Sequence, residues 1–307
     1  MSVIGFDRSN YTTSIAFFDG YSGTNISKLL PVKIGELGLR QSDAVFHHTK
    51  GLPELSGRLF SNIDINTVTA IGVSTRPRAV EGSYMPCFMV GYAQAKLLAD
   101  ALHVPLYEFS HQQGHIAAAL WSAGCMELMD TTHLAWHLSG GTTELLLIEP
   151  NGKTVTCTRI GGTTDISAGQ LIDRTGQLLA LPFPSGKHLD ALSMESIGRD
   201  VFHVKCTGTE FSLSGVQNKV QQYYNNSGDV TETAAYALRC ISYAVSCATE
   251  NARKTYSDLP VVFSGGVASN SVLRKVMASQ NCIFAKAEYS TDNAMGIAVL
   301  AHRAQEG

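Results

Sequence analysis

Short apolar runs of strand character punctuate this chain, and longer runs with helical spacing follow them. Ser2 to Asp7 reads as a strand, a polar turn follows, and SIAFFD from Ser14 to Asp19 reads as a second strand. Far downstream, HLAWHLSGG and TTELLLIEP repeat that plan of apolar strand, tight turn and apolar strand. A third strand-like run follows each pair, around Ile26 to Ile34 and Thr154 to Ile160. VTAIGVST (Val68 to Thr75) and PVVFSGG (Pro260 to Gly266) are short continuous apolar runs, the pattern of an inner parallel strand. Helical spacing is found over Gln94 to Leu102, His115 to Met129, Asp165 to Leu181, Thr231 to Thr255 and Ser271 to Ser279, and another apolar helical run follows Asp292. Hairpins alternating with helices predict an α/β protein. Recurrence of the plan predicts two lobes of one architecture, residues 1–130 and 131–307. YYNNSGDVTE, beginning at Tyr223, reads as a loop.

Composition narrows the function classes. The 307 residues are 44% hydrophobic and 16% charged, an ordinary globular balance with ample material for two cores. A net charge of -3 gives no overall electrostatic footprint for nucleic acid. The start MSVIGFDRSN lacks the basic segment and apolar run of a secretory signal, and no run has the length of a membrane span. The expectation is a cytoplasmic protein with no membrane partner. The 7 cysteines are scattered without a CxxC pair, which reads as free thiols rather than a disulfide framework or cysteine zinc site.

The chemistry begins at HQQGH, His111 to His115. Histidines four apart share one helix face and reach a single metal ion, although the same spacing also occurs in ordinary helices. A metalloprotease needs a glutamate directly after the first histidine to activate water; Gln112 stands there and takes no proton, which disfavours peptidase chemistry. With Asp292 of STDNAMGIA as a third ligand, two imidazoles and a carboxylate suit iron, zinc or manganese, a choice the residues leave open. Two glycine turns are candidate anion sites: Ser139-Gly140-Gly141-Thr142-Thr143 between strands, and Ser264 to Asn270 between a strand and a helix. Neither has the lysine of a P-loop nor the spacing of a dinucleotide fingerprint. Asp173 lies within a helix that stops at Leu181-Pro182, and PFPSG then presents Gly186. Metal ligands beside phosphate-sized turns point to an enzyme acting on a nucleotide.

Taken in order, these stretches resemble the TsaD/Gcp family, the catalytic subunit of tRNA threonylcarbamoyladenosine synthesis. HQQGH is similar to the family's HxxGH, LSGGTTELL to SGGHTQL, and GTTDISAGQLIDRTGQLLALPFPSG to DDAxGEAFDKxAxLLGLxYPGG. FSLSGVQ is similar to FSFSGLK, SGGVASNSVLR to GGVAANxxLR, and STDNAMGIA to CTDNAAMIA. The resemblance implies an actin/Hsp70/hexokinase-like (ASKHA) α/β fold of two duplicated lobes with the ligand in the cleft between them. It implies that His111, His115 and Asp292 hold one divalent metal, iron by family precedent. It also implies that Leu138, Ser139, Gly140, Gly141, Thr142, Asp173, Gly186 and Asn270 hold threonylcarbamoyl-AMP. The implied reaction transfers the threonylcarbamoyl group to the exocyclic amine of the adenine beside the tRNA anticodon, with TsaB-like and TsaE-like protein partners.

The chain departs from the family pattern at charged positions. Where the family opens with GIETSCDETG this chain reads GFDRSNYTTS, so Tyr11 and Thr12 replace the acidic pair. Thr142 replaces the histidine after SGG, Ile166 the second aspartate of DD, Gln170 a glutamate and Gln217 a lysine. Arg76-Pro77-Arg78 stands for the usual GPG turn. Metal and ligand positions are kept better than the acid/base positions, the pattern of a divergent paralog. Two readings follow: a transferase on tRNA, or a protein that binds metal and nucleotide without that transfer, regulating the true synthase or acting on another acceptor.

Overall fold

The computed structural model describes residues 1–32 and 39–306. Its contacts divide the chain into two compact units. The first comprises Met1–Thr132, Ile148–Cys157 and Thr291–Gly307, the second His133–Leu147 and Thr158–Ser290.

The first unit is built on strands β1 (Ser2–Arg8), β2 (Thr12–Phe18), β3 (Gly23–Leu29), β4 (Val68–Arg76) and β5 (Leu106–Ser110), in the order β3-β2-β1-β4-β5. β1 to β3 form an antiparallel meander, and β4 and β5 add in parallel. The expected third strand near Ile26 is β3, ending at Leu29; the part of that expectation reaching Ile34 lies outside the described residues. Helices α1 (Gln41–Phe60), α2 (Pro86–Leu102) and α3 (His111–Ala123) complete the local elements. Strand side chains alternate between faces. Ile4, Phe6, Ile71 and Val73 accordingly form one core with Leu55 and Leu59 of α1 and Ala95 and Ala99 of α2. The intervening positions Gly5, Asp7, Gly72 and Ser74 face the other way.

The second unit repeats the arrangement. Strands β6 (His133–Leu138), β7 (Thr143–Asn151), β8 (Thr154–Thr163), β9 (Cys206–Thr207), β10 (Glu210–Phe211), β11 (Val261–Ser264) and β12 (Cys282–Phe284) lie in the order β12-β11-β6-β7-β8-β10-β9, with the end of β7 and the start of β8 (148–157) counted in the first unit. β11 runs parallel to both β6 and β12, the inner parallel strand that its apolar run predicts. Read from β8 to β12, the order β8-β7-β6-β11-β12 matches the β3-β2-β1-β4-β5 of the first sheet, and the β10-β9 pair is an addition. Helices α4 (Ala168–Leu178), α5 (Gly186–Ser193), α6 (Ser214–Ser227), α7 (Val230–Arg253), α8 (Ser271–Met277) and α9 (Ala287–Ser290) surround a core centred on Trp136, Leu145, Leu171, Ile241 and Phe263. The segment expected as a loop from Tyr223 is helical up to Ser227; only Gly228, in the left-handed conformation, and the N-cap Asp229 separate α6 from α7.

The last helix, α10 (Met295–Gln305), corrects the lobe boundary. Sequence order assigns it to residues 131–307, yet it packs on α3 and on β1 and β4 of the first unit. The cause is a set of positions where only hydrogen fits. A Cβ on Gly5 would lie 2.6 Å from the Ala294 carbonyl oxygen, one on Gly72 would lie 2.8 Å from that of Ile297, and one on Gly296 would lie 1.8 Å from that of Gly114. Such separations are below van der Waals contact, so these glycines permit backbone-to-backbone packing. Among the described residues no helix is long and apolar enough to cross a membrane.

Candidate functional site

Every residue of HQQGH has a local structural task. Ser110 is the N-cap of α3 and forms a capping box with Gln113, which fixes where the helix begins. His111 is thereby the first helical residue and His115 lies one turn on. The Gln112 amide, one of the orphan donors of the first turn, bonds the Pro77 carbonyl at 3.0 Å. Gly114 receives the Ile297 side chain, since a Cβ there would lie 2.8 Å from Ile297 Cδ1. That contact lets α10 lie against α3, and Asp292, just before α10, reaches the histidines.

His111, His115 and Asp292 offer one donor atom each within 4.8 Å of one another. His115 Nε2 is 3.0 Å from His111 Nε2 and 3.2 Å from Asp292 Oδ1, while His111 Nε2 is 3.5 Å from Asp292 Oδ1. On its far side His111 Nδ1 is 2.9 Å from both oxygens of Asp7, a residue 1% exposed. Ser9 donates its hydroxyl to Asp292 Oδ2 and accepts the amides of Tyr11 and Thr12. Burial alone would lower the basicity of His111, but the Asp7 and Asp292 carboxylates more than offset it and push the imidazolium up to about 10. Burial acts to raise Asp292; hydrogen bonds and charge from His111 and His115 hold it well below the usual carboxylate range. Two imidazole nitrogens from α3 and a carboxylate oxygen from the bend before α10, with a carboxylate behind one imidazole, are a donor set that fits a divalent ion.

The residues implied for the adenylate lie in the second unit and form one connected patch. The turn after Leu138 is closed by Ser139 N–H donating to the Thr142 carbonyl at 2.8 Å and by Thr142 N–H donating to Ser139 Oγ at 3.1 Å. Positive φ, the basis on which these glycines are expected to shape an anion site, is absent at Gly140 and Gly141. The tight packing lies opposite them. A Cβ on Gly169 of α4 would come within 2.5 Å of Gly140 Cα, and one on Gly265 within 2.2 Å of the Leu138 carbonyl oxygen. Gly140 and Gly141 themselves are exposed, and among the described residues their amides donate to no protein group.

The second glycine turn also differs from expectation. Gly265, at φ +90°, leads into a 3-10 turn over Gly266–Ser269 before α8 starts. Asn270 caps α8 by accepting the Leu273 amide at 3.0 Å. Its Nδ2 donates to Asp190 at 2.9 Å, and Asp190 also accepts the Ser271 amide and hydroxyl. Asp190 belongs to α5, which Gly186 opens, and Asp173 accepts the Ser185 amide at 2.9 Å. Burial raises the Asp173 carboxyl and that one N–H opposes it. Asp173, Gly186 and Asn270 are thus joined through Ser185 and Asp190. Asp190, Asp7 and Ser9 were not singled out by sequence; for Asp7 the available signal was a carboxylate inside an otherwise apolar strand.

Asp165, the first aspartate of the family-like DD pair, has a structural task. It accepts hydroxyls of Ser212 and Ser214, each at 2.5 Å, and the amides of Leu213 and Ser214. Burial would raise its pKa, but these donors hold it far below the ordinary value near 3.8. A depressed folded pKa contributes stability that is present above the unfolded value and lost as pH falls toward the folded one. Asp165→Asn is expected to cost about 1 kcal/mol at neutral pH, solvent exposure keeping the effect small. In urea melts the difference from wild type should shrink as pH falls below about 4; a difference that grows with acid would contradict the assignment.

A duplicated pair of sheets with matching strand order gives this chain an ASKHA-type fold. Solved structures agree at the level of fold. A full-length HypF in a phosphate- and nucleotide-bound form superposes with TM-score 0.62 at 14% identity, covering all of this chain and 47% of that one. Component A of the Acidaminococcus fermentans (R)-2-hydroxyglutaryl-CoA dehydratase gives 0.59 at 14% identity, with both chains covered in full. A ROK family glucokinase from Streptomyces griseus gives 0.54 at 12% identity, again with both covered in full.

Within that class the chain belongs to the TsaD family, tRNA N6-adenosine threonylcarbamoyltransferase, whose model matches residues 37–299. A protein of that name from Archaeoglobus fulgidus is 26% identical over 90% of this chain and 81% of its own length. Another from Mycoplasmopsis agalactiae is 27% identical over 99% of this chain and 98% of its own length.

Proposed function

We propose that this chain is a metal-assisted transferase that moves the threonylcarbamoyl group of threonylcarbamoyl-AMP onto the exocyclic amine of the adenine beside the tRNA anticodon. The observation that carries the reading is the joint retention of the His111-His115-Asp292 cluster and the connected Leu138–Thr142, Asp173, Gly186 and Asn270 patch in a member of the TsaD family. In the reaction the amine nitrogen bonds to the carbamoyl carbon, the bond from that carbon to the phosphate oxygen breaks, AMP leaves, and the amine gives up a proton. The free amides of Gly140 and Gly141 suit the phosphate. Asp173 suits ribose hydroxyls, and the remaining amide hydrogen of Asn270 suits a further acceptor on the nucleotide. A divalent ion, iron by family resemblance, would supply Lewis-acid polarisation of the carbonyl when held by His111, His115 and Asp292. TsaB-like and TsaE-like proteins are the proposed partners. The test is label transfer from threonylcarbamoyl-AMP to tRNA together with AMP release; tight adenylate binding without transfer would reject the reading.

One observation favours a second reading. Tyr11 and Thr12 provide no carboxylate, and the two carboxylates nearby, Asp7 and Asp292, are both engaged with histidines. A protein that binds metal and nucleotide and regulates the synthase, or serves another acceptor, accommodates that loss.

The raised basicity of His111 sets the pH dependence of metal uptake. In the metal-free protein the His111 proton contributes stability below the unfolded value of 6.5, lost as pH rises through about 10. At neutral pH an incoming ion must displace that proton, so affinity for Zn²⁺ is expected to rise about tenfold per pH unit between pH 6 and 8. Calorimetry in buffers of different ionisation enthalpy checks this; metal uptake without proton release would contradict it.

A further inference from the structure

We infer that Asp7 is a positioning residue for the metal centre, holding His111 in the tautomer that presents Nε2 to the ion, with Ser74 fixing Asp7 in turn. The inference rests on the proposed metal role of His111, His115 and Asp292.

The geometry follows from the fold. β1 and β4 are parallel with Phe6 opposite Val73, which sets Asp7 beside Ser74 on the face turned away from the α1–α2 core. Ser74 is fully buried and donates its hydroxyl to Asp7 Oδ1 at 2.5 Å. Asp7 then presents both oxygens at 2.9 Å to His111 Nδ1. A carboxylate accepts only, so Nδ1 carries the hydrogen and donates it. Nε2, the nitrogen facing His115 and Asp292, is then the one that ligates once an incoming ion displaces its proton. An imidazole held this way cannot rotate or swap tautomers without abandoning a buried carboxylate.

The arrangement differs from the support of the other ligands. Asp292 is held by the Ser9 hydroxyl and His115 sits within α3, whereas His111, at the first helical position, depends on Asp7 for its orientation. The carboxylate–imidazole–metal relation is a known device for raising ligand basicity and fixing ring orientation, and its loss typically weakens metal binding about 10- to 100-fold.

The experiment uses the full chain and Co²⁺ alone as probe, reading affinity and the visible ligand-field spectrum for wild type, Asp7→Asn, Asp7→Glu and Ser74→Ala. Nitrogen NMR of histidine-labelled wild-type protein loaded with diamagnetic Zn²⁺, in which the ion has displaced one ring proton of His111, reports which nitrogen keeps its hydrogen. The expected results are an Nδ1–H tautomer in wild type, affinity about 10- to 100-fold weaker with an altered spectrum in Asp7→Asn, partial recovery in Asp7→Glu, and a smaller loss in Ser74→Ala. Unchanged Co²⁺ affinity and spectrum in Asp7→Asn, or an Nε2–H tautomer in wild type, would overturn the inference. If Asp7→Asn does not fold, the tautomer and Ser74→Ala decide, and an unaltered Ser74→Ala spectrum counts against it. His111→Ala separates this failure from that of the metal reading: if it too binds Co²⁺ like wild type, the metal site itself is wrong.

Discussion

His111→Ala should bind no divalent metal at micromolar concentrations and lose transfer by about a thousandfold or more, roughly 4 kcal/mol of transition-state stabilisation. Two of three donors remain in this variant, but His115 and Asp292 alone leave too few ligands for a tight site. The metal-free variant also loses the imidazolium that neutralises Asp7 and Asp292. Asp7 is then left with the Ser74 hydroxyl and Asp292 with His115 and Ser9, and the lost pairing is expected to cost about 2 kcal/mol of stability. Circular dichroism should still report a folded protein with a lower melting temperature. Calorimetry with Zn²⁺ and the transfer assay give the other two readings, and retained transfer in a folded variant would remove the metal from the account.

The second large effect concerns the contact that builds the site. Gly296→Ala places a methyl group where the Gly114 carbonyl oxygen would lie 1.8 Å away, a backbone atom that cannot step aside. α10 must move off α3, and Asp292, three residues before α10, moves with it. Overpacking of this kind is expected to cost about 3 kcal/mol. Metal affinity should fall in parallel although no ligand has changed. The control is Gly57→Ala in α1, where nothing lies within 4 Å of the added Cβ; it is expected to be neutral or to stabilise by up to about 1 kcal/mol. Equal stability of the two variants in urea would contradict the packing argument.

These two positions also show where sequence reading succeeds and stops. The strands of both hairpins and the parallel strands β4 and β11 are readable because burial on both faces demands continuous apolar runs. α7 is readable because a long apolar stripe recurs at helical spacing. α1 is not: Pro53 lies inside it, Gly51 and Gly57 interrupt it, and its buried residues are only Ala44, His48, Leu55 and Leu59. α6 buries Val216 and Val220 alone, too narrow a stripe to distinguish from a polar loop. The unit to which α10 belongs depends on glycines in β1, β4 and α3, far apart in sequence, and no local pattern reports such a meeting.

The site divides along the same line. His111, His115 and Asp292 are legible because HQQGH and STDNAMGIA are compact motifs. Asp190 and Asp7 are isolated residues whose significance lies in what they touch, Asn270 in one case and His111 in the other. The glycine turn illustrates a third case. Its position was legible, but the conformational reason was not, since the close approaches fall at Gly169 and Gly265 rather than at Gly140 and Gly141.

The central claim is that this chain, with Tyr11 and Thr12 in its first hairpin, carries out the transfer. The most direct measurement supplies metal-loaded protein, its organism's partner subunits, labelled threonylcarbamoyl-AMP and tRNA, and follows AMP release and label on the RNA. The account predicts labelled tRNA and stoichiometric AMP from wild type, both lost in Asp292→Ala. Adenylate bound tightly by wild type, with no label reaching tRNA, would contradict it and favour a paralog that kept the pocket and gave up the reaction.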